Sequence, residues 1–527
     1  MALAQVYSRA CVGVEAPLIT VEVHLSGGLP CLSIVGLPEA AVKESRDRVR
    51  AALLNSGFDF PASRVTISLA PADLPKEGGG FDLAIALGIL AASGQVSETR
   101  FTDCEFLGEL SLSGALRRVR GVLPAALKAI DSHRSLVVPS ANESEASLVS
   151  RGERRCARSL LHVVAWLNGQ SDLPHAGPGP PGSAPRSLSH HPDLRDVIGQ
   201  ERARRALEVA AAGSHNLLMN GPPGTGKTML ASRLPGILPP MSEAEALETA
   251  AVASISRQGL EIRNWRCRPF RAPHHTSSGV ALVGGGSHPR PGEISLAHNG
   301  VLFLDELPEF NRHVLEVLRE PMESGRIVIS RAARQAEFPA RFQLVAAMNP
   351  CPCGHAGDRA SACRCSADQV ARYRNRVSGP LLDRIDIHVE VGRPSSSLLD
   401  PARPAGESSG AVRARVSDAR EIQQQRAGKP NAHLGASGIR AHCATGPAER
   451  ELLETAVRQL ALSPRACHRV LKVARTIADL GRRDAISGED LAEAIAYRSH
   501  GPASQAREQD RSTAISDVTS VRGNGLG

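Results

Sequence analysis

Apolar residues recur along this chain with two different periods, and each change of period marks an element. Alternate apolar positions at 19–24 and 65–69 predict strands, and helical spacing at 40–55 and 81–92 predicts helices. Residues 1–168 therefore read as a compact α+β unit. The pattern breaks at 171–192, SDLPHAGPGPPGSAPRSLSHHP, where Pro, Gly and Ser leave no apolar face and only a linker can form. A capped amphipathic helix is predicted over 193–213, and the apolar run Leu217-Leu218-Met219 then suits a buried strand. Unbroken apolar runs return at 301–304 and within 340–354, as expected of strands in a parallel sheet covered on both faces. After a second linker-like stretch at 393–410, residues 410–426 read as a helix charged on more than one side. Residues 448–498 read as further helices, the last opening on the cap Ile486-Ser487-Gly488-Glu489-Asp490. Residues 502–527 are polar and without period, a disordered tail. The fold class is α/β, with units at 1–168, 193–392 and 431–501, a linker at 169–192 and a linker with a bridging helix at 393–430.

Composition narrows this picture. Only 3% of the 527 residues are aromatic, so the cores must be built from Leu, Val, Ile and Ala. Lys and Arg outnumber Asp and Glu by 62 to 54, which permits a polyanionic partner without requiring one. No apolar run approaches the roughly 20 residues of a membrane helix, and the start MALAQVYSRACVGVEAP lacks a secretory pattern, so a cytoplasmic protein without a membrane partner is expected. In that compartment the 11 cysteines suggest free thiols and a metal site rather than a disulfide framework. Cys11, Cys31, Cys104 and Cys467 stand alone and read as small core fillers. Lys43, Arg46 and Lys76 read as a solvated face.

The chemistry concentrates at 215–228, HNLLMNGPPGTGKT. Gly221, Pro222, Pro223, Gly224, Thr225, Gly226, Lys227 and Thr228 meet every position of a phosphate-binding loop. Glycines let backbone N–H groups converge on the phosphates, Lys227 adds a point charge and the Thr228 hydroxyl can ligate Mg²⁺, so ATP and Mg²⁺ are the expected ligands. Asp305 and Glu306 end the strand at 301–304, where parallel sheets bind ligands; Asp305 suits the Mg²⁺ shell and Glu306 suits polarising the attacking water. Between the two lies an insertion, 268–300, rich in His, Gly and Arg. Arg268, Arg271, His274, His275 and the glycines 284–286 suit a grip on a nucleic-acid backbone, with metal ligation or core packing as the other uses of the histidines. Cys351, Cys353, Cys363 and Cys365 offer four thiols within one loop, the number and type of a structural Zn²⁺ site, with His355 as a spare ligand.

Several stretches resemble known families. LPKEGGGFDLAIALGILAASG (74–94) and FLGELSLSGALRRVRGVLPAALKA (106–129) look like the proteolytic domain of Lon-type proteases, a ribosomal S5 domain 2-like fold. Gly80 stands where that family has its Ser, and Leu123 or Ala125 where it has its Lys, so the resemblance implies a Lon-like domain without the protease. Val197-Ile198-Gly199-Gln200 resembles the segment that packs on adenine in AAA+ ATPases. Asn349 resembles their sensor, and Leu-Asp-Arg-Ile-Asp at 382–386 resembles the arginine-finger segment of the MCM and Mg-chelatase branch, which would send Arg384 to a neighbouring subunit. Arg465 stands where the second sensor arginine of this branch would stand, with Arg469 competing. Together these resemble the YifB or ComM family of Mg-chelatase-like AAA+ ATPases, with a helical C-terminal lid. The resemblance implies a homo-oligomer, a hexameric ring, that is driven by ATP on single-stranded or branched DNA and promotes branch migration in natural transformation. The alternative is a magnesium-chelatase-like motor subunit or a protein remodeller without DNA activity.

Overall fold

A computed structural model of the chain describes residues 2–36, 40–177, 191–286, 289–331, 334–358, 361–393 and 406–499. The tail expected at 502–527, and most of the linkers expected at 171–192 and 393–410, lie outside the described residues.

The amino-terminal part is built on a seven-stranded sheet. From edge to edge run Cys31–Val35, Arg64–Ala70, Leu18–Ser26, Ala2–Arg9, Cys104–Phe106, Ser135–Pro139 and Arg154–Ala157. Ala2–Arg9 pairs antiparallel with Leu18–Ser26, setting Val6 opposite Val21, so the alternation read from the sequence puts one apolar face of each strand inward. Against that face lies the helix Asp82–Ala92, every residue of which is buried. A helix that is apolar on all sides can exist only under such cover. Two expectations fail in this part. Lys76 is not on a solvated face: its side chain is wholly buried, and its ammonium donates to the Pro71 carbonyl. Cys11 and Cys31 are exposed rather than core fillers, whereas Cys104 is buried. Arg46 is exposed and pairs with its neighbour Asp47 at 3.1 Å; the Lys43 side chain lies outside the described residues.

The second sheet has five strands in the order Phe270–Arg271, Val301–Leu304, Gln343–Met348, Leu217–Asn220 and Ile387–Glu390. All are parallel, with Leu217 beside both Val345 and Ile387. All the residues of Val301–Leu304, Gln343–Met348 and Leu217–Asn220 are buried, which explains their unbroken apolar runs. The helix expected over 193–213 begins only at Glu201, because Gly199 and Gln200 both turn left-handed at φ +69° and +57°. A hairpin that the sequence reading passed over, Arg326–Arg331 with Arg334–Pro339, buries Ile327, Ile329, Ala336 and Phe338 on one face.

The C-terminal helices Ser409–Ala427, Ala436–His442, Pro447–Leu460, Pro464–Leu480 and Gly488–Ser499 do not form a core of their own. Val412, Val416, Ala419, Val470, Val473, Ile477 and Leu491 join Leu207, Leu217, Leu234 and Ile387 in one hydrophobic cluster. Each such Leu, Ile or Val contributes about 1.5–3 kcal/mol relative to exposure. At the last helix Ser487 and Asp490 cap each other, the Ser487 N–H donating to the carboxylate at 2.9 Å and the Asp490 N–H to the hydroxyl at 3.3 Å. On the other side, helix Glu243–Ser254 seats Ala250 and Ala251 among Leu123, Ala126 and Val122 of the amino-terminal part.

Candidate active site

The strand Leu217–Asn220 ends where Gly221 meets the backbone of the neighbouring strand. A Cβ there would come within 2.1 Å of the Val391 carbonyl oxygen, so only glycine fits. Gly224 and Gly226 then turn left-handed, at φ +76° and +89°, and the helix Lys227–Ile237 begins. The Lys227 ammonium is folded into this loop. It donates to the carbonyls of Gly221 at 2.7 Å and Pro222 at 2.8 Å, and to Asn349 Oδ1 at 3.1 Å. Burial lowers its pKa, and the carboxylates of Asp305 and Glu306 oppose that shift. Thr225 closes the turn by donating to the Pro222 carbonyl at 3.0 Å. Thr228 Oγ1 donates to Asp305 Oδ2 at 2.7 Å, so the hydroxyl and the carboxylate meet where a bridging cation would sit.

Glu306 occupies a left-handed backbone position, φ +54°, and its N–H donates to Asp305 Oδ1 at 3.0 Å. That turn separates the two carboxylates, one aimed at Thr228 and the other across to the insertion, where His275 Nδ1 lies 3.2 Å from Glu306 Oε2. His275 in turn stacks on His274 and meets the Phe310 ring edge-on. The pairing of His275 with Glu306 was beyond sequence reasoning, which placed both histidines in an undivided basic insertion. The other expected grips are already engaged. Arg268 donates to the carbonyls of Pro239 and Asn299, each at 2.7 Å, and pairs with Glu245; Arg271 is held by both oxygens of Glu293 at 2.6 and 2.7 Å. Neither guanidinium is presented to a polyanion; His274 and Gly286 are exposed.

Ile198 and Gly199 are half-buried in the loop that precedes Glu201, and Gln200 ties that loop to the site by donating to the carbonyls of Gly392 at 2.6 Å and Thr225 at 3.4 Å. Asn349 stands at the end of Gln343–Met348, beside Lys227. Arg384 is elsewhere. It pairs with Glu323 at 2.6 Å and donates to the Pro380 carbonyl at 2.8 Å, on a cleft of about 730 Å³ that Arg341, Arg469 and Lys472 also line. Asp383 and Asp386, its neighbours in sequence, do not hold its guanidinium. Asp386 binds Arg469 at 2.6 Å and lies 3.5 Å from His215 Nδ1. Arg469 also donates to the Arg384 carbonyl, so it is Arg469 that stands beside the segment 382–386, while Arg465 is exposed at the helix start.

The loop after Asn349 brings its thiols together. The Sγ atoms of Cys351, Cys353, Cys363 and Cys365 all lie within 4.8 Å of one another. Backbone N–H groups of Arg364 and His355 aimed at Cys353, with the Cys351 thiol beside it, pull that thiol down to about 6. His355, the spare ligand, turns instead to Asp358 at 3.5 Å. A group of this composition can hold a metal ion.

Parallel strands in this order, with a phosphate loop and two carboxylates at their carboxyl ends, define a phosphate-loop protein of the AAA+ class. Three family models match: magnesium chelatase subunit ChlI at 193–398, a second model of that subunit at 21–142, and its C-terminal part at 406–498. The competence protein ComM of Haemophilus influenzae is 56% identical over 94% of this chain and 98% of its own length. YifB of Escherichia coli is 52% identical over 94% and 97%. A magnesium-chelatase 38 kDa subunit of Rhodobacter capsulatus is 28% identical over 29% of this chain and 49% of its own. The chain belongs to the ComM and YifB family of magnesium-chelatase-like AAA+ proteins, a class of ATPases that use ATP with Mg²⁺. No helix among the described residues is long and apolar enough to cross a membrane.

Proposed function

We propose that the chain is an ATP-driven motor on DNA, a hexameric ring that promotes branch migration during natural transformation or recombination. The observation that carries this reading is the 56% identity, over nearly the whole length of both chains, to a protein named for competence. Within it, Lys227 neutralises phosphate charge, Thr228 and Asp305 hold Mg²⁺, Glu306 polarises water and Asn349 orients it. The 2.7 Å contact of Thr228 with Asp305 supports the first division of labour. Arg384 completes a neighbour's site. Its position in a cleft that no phosphate-loop residue lines supports that role, and Arg469 beside it supports a second arginine at the same junction.

The amino-terminal part is a Lon-like domain that scaffolds and does not cleave. Gly80 offers no nucleophile, and Leu123 and Ala125 are wholly buried apolar residues in the helix Val122–Asp131. The helices within 431–501 are the lid, and Ser409–Ala427 is the bridging helix that leads to it. A magnesium-chelatase-like motor subunit is the second reading, favoured by the three family models and weakened by the short reach of the match to the 38 kDa subunit.

ATP turnover with no DNA, single strands, duplex and a four-way junction, at several salt concentrations, separates the readings, with Lys227→Ala as the blank. Severalfold stimulation by junction DNA is the expected result. Equal rates with and without every DNA would sink the DNA reading in favour of a tetrapyrrole or protein substrate.

A further inference from the structure

The loop from 351 to 366, CPCGHAGDRASACRCS, contains no large apolar residue. It has no means of building a hydrophobic core, yet it connects Asn349, at the end of one central strand, to the helix Ala367–Arg374. What it does have is four sulfurs at close range. Cys351 and Cys353 are 3.4 Å apart, Cys351 and Cys363 3.7 Å, and Cys353 and Cys363 3.6 Å. A tetrahedron of Zn–S bonds of about 2.3 Å has edges of about 3.8 Å, so the thiols already stand near the spacing that one ion imposes. Four thiolates select a soft tetrahedral ion, and a chain segment without a core gains its rigidity from binding one.

Two contacts join this knuckle to the phosphate loop. Only Pro350 separates Cys351 from Asn349, and Asn349 Oδ1 accepts from the Lys227 ammonium at 3.1 Å. Gly354, between the two pairs of thiols, turns left-handed at φ +83° and lies flat on Pro223. A Cβ at 354 would come within 2.6 Å of Pro223 Cδ. The knuckle is therefore a floor under the Pro222-Pro223-Gly224 turn, and its fit depends on the absence of one methyl group.

We propose that Cys351, Cys353, Cys363 and Cys365 bind one zinc ion, and that its presence sets ATP affinity by holding Gly354 against Pro223 and Asn349 against Lys227. The inference rests on nucleotide binding at this loop. The test uses the full chain, metal analysis and a fluorescent ATP analogue. About one zinc per chain is expected, without visible absorbance. Stripping it with a mercurial and then quenching the reagent with excess thiol raises the analogue's Kd at least tenfold, and added zinc restores it. Gly354→Ala keeps the zinc and raises Kd by a similar factor, a result that loss of folding cannot mimic. Unchanged Kd in the stripped chain, iron in place of zinc, or failure to take up zinc would each overturn the proposal. Unchanged Kd in Lys227→Ala would instead overturn the nucleotide reading beneath it.

Discussion

His275 Nδ1 stands 3.2 Å from Glu306 Oε2, so the carboxylate proposed to polarise water is tethered to the insertion proposed to face DNA. Movement of the insertion therefore moves Glu306. His275→Ala is expected to raise ATP turnover in the absence of DNA and to reduce the ratio of DNA-stimulated to basal rate severalfold, with Kd for ATP unchanged. Glu306→Gln is expected to lower turnover by about 10²–10³ while ATP still binds. Parallel steady-state assays and nucleotide titrations check both; an intact stimulation ratio in His275→Ala means that the pair transmits nothing.

Arg384 has no bond to its own phosphate loop and pairs with Glu323 instead. If it serves a neighbour, Arg384→Ala lowers turnover by about 10³ without weakening ATP binding. Mixing it with Lys227→Ala then restores activity, because some junctions combine an intact loop from one chain with an intact arginine from the other. A mixture as inactive as its components excludes a shared site.

Arg268 and Arg271 are bound internally, to Glu245 with two carbonyls and to Glu293. Their replacement by Ala is expected to cost about 1–3 kcal/mol of stability through the acceptors left unpaired. The slope of DNA affinity against salt should stay as in the parent, because neither neutralises a phosphate. Titrations at three salt concentrations, set beside urea unfolding, distinguish the two effects.

Asp386 couples pH to stability. Burial alone would raise its pKa, but the His215 imidazole 3.5 Å away and the paired Arg469 guanidinium outweigh that and hold it well below the usual carboxylate range. A depressed carboxylate stabilises fully above its unfolded value, near 4, and the stabilisation is lost as pH falls through and below that value. Urea unfolding should therefore show a loss of stability between about pH 5 and 3 that is smaller in Asp386→Asn. At neutral pH the same substitution should cost about 3 kcal/mol, because Arg469 loses its only carboxylate among the described residues.

What the sequence made legible was local. The phosphate loop is contiguous, and Asp305 and Glu306 are recognisable because an apolar run of four delivers them. The thiol cluster could be read for the same reason, since its ligands share one loop. The pairs that cross between strands could not: His275 with Glu306, Arg384 with Glu323 and Gly354 with Pro223 depend on strand order, which periodicity does not encode. Burial of single residues was the other failure. Cys31 shares the exposed face of an edge strand with Val35, Cys11 lies just past the end of Ala2–Arg9, and Lys76 is buried by a turn rather than by a helix face. The hairpin Arg326–Arg331 with Arg334–Pro339 did carry a signal, the alternation of Ile327 and Ile329 against Ala336 and Phe338.

The hydrophobic cluster shared by the parallel sheet and the C-terminal helices fixes what can be cut from this chain. A fragment ending after Ile387–Glu390 would keep Lys227, Thr228, Asp305, Glu306, Asn349 and Arg384, yet would lay Leu207, Leu217 and Ile387 open to water. Such a fragment should be insoluble rather than merely slow. In calorimetry the intact pair should melt as one endotherm, so heat would inactivate hydrolysis and release the last helices at the same temperature.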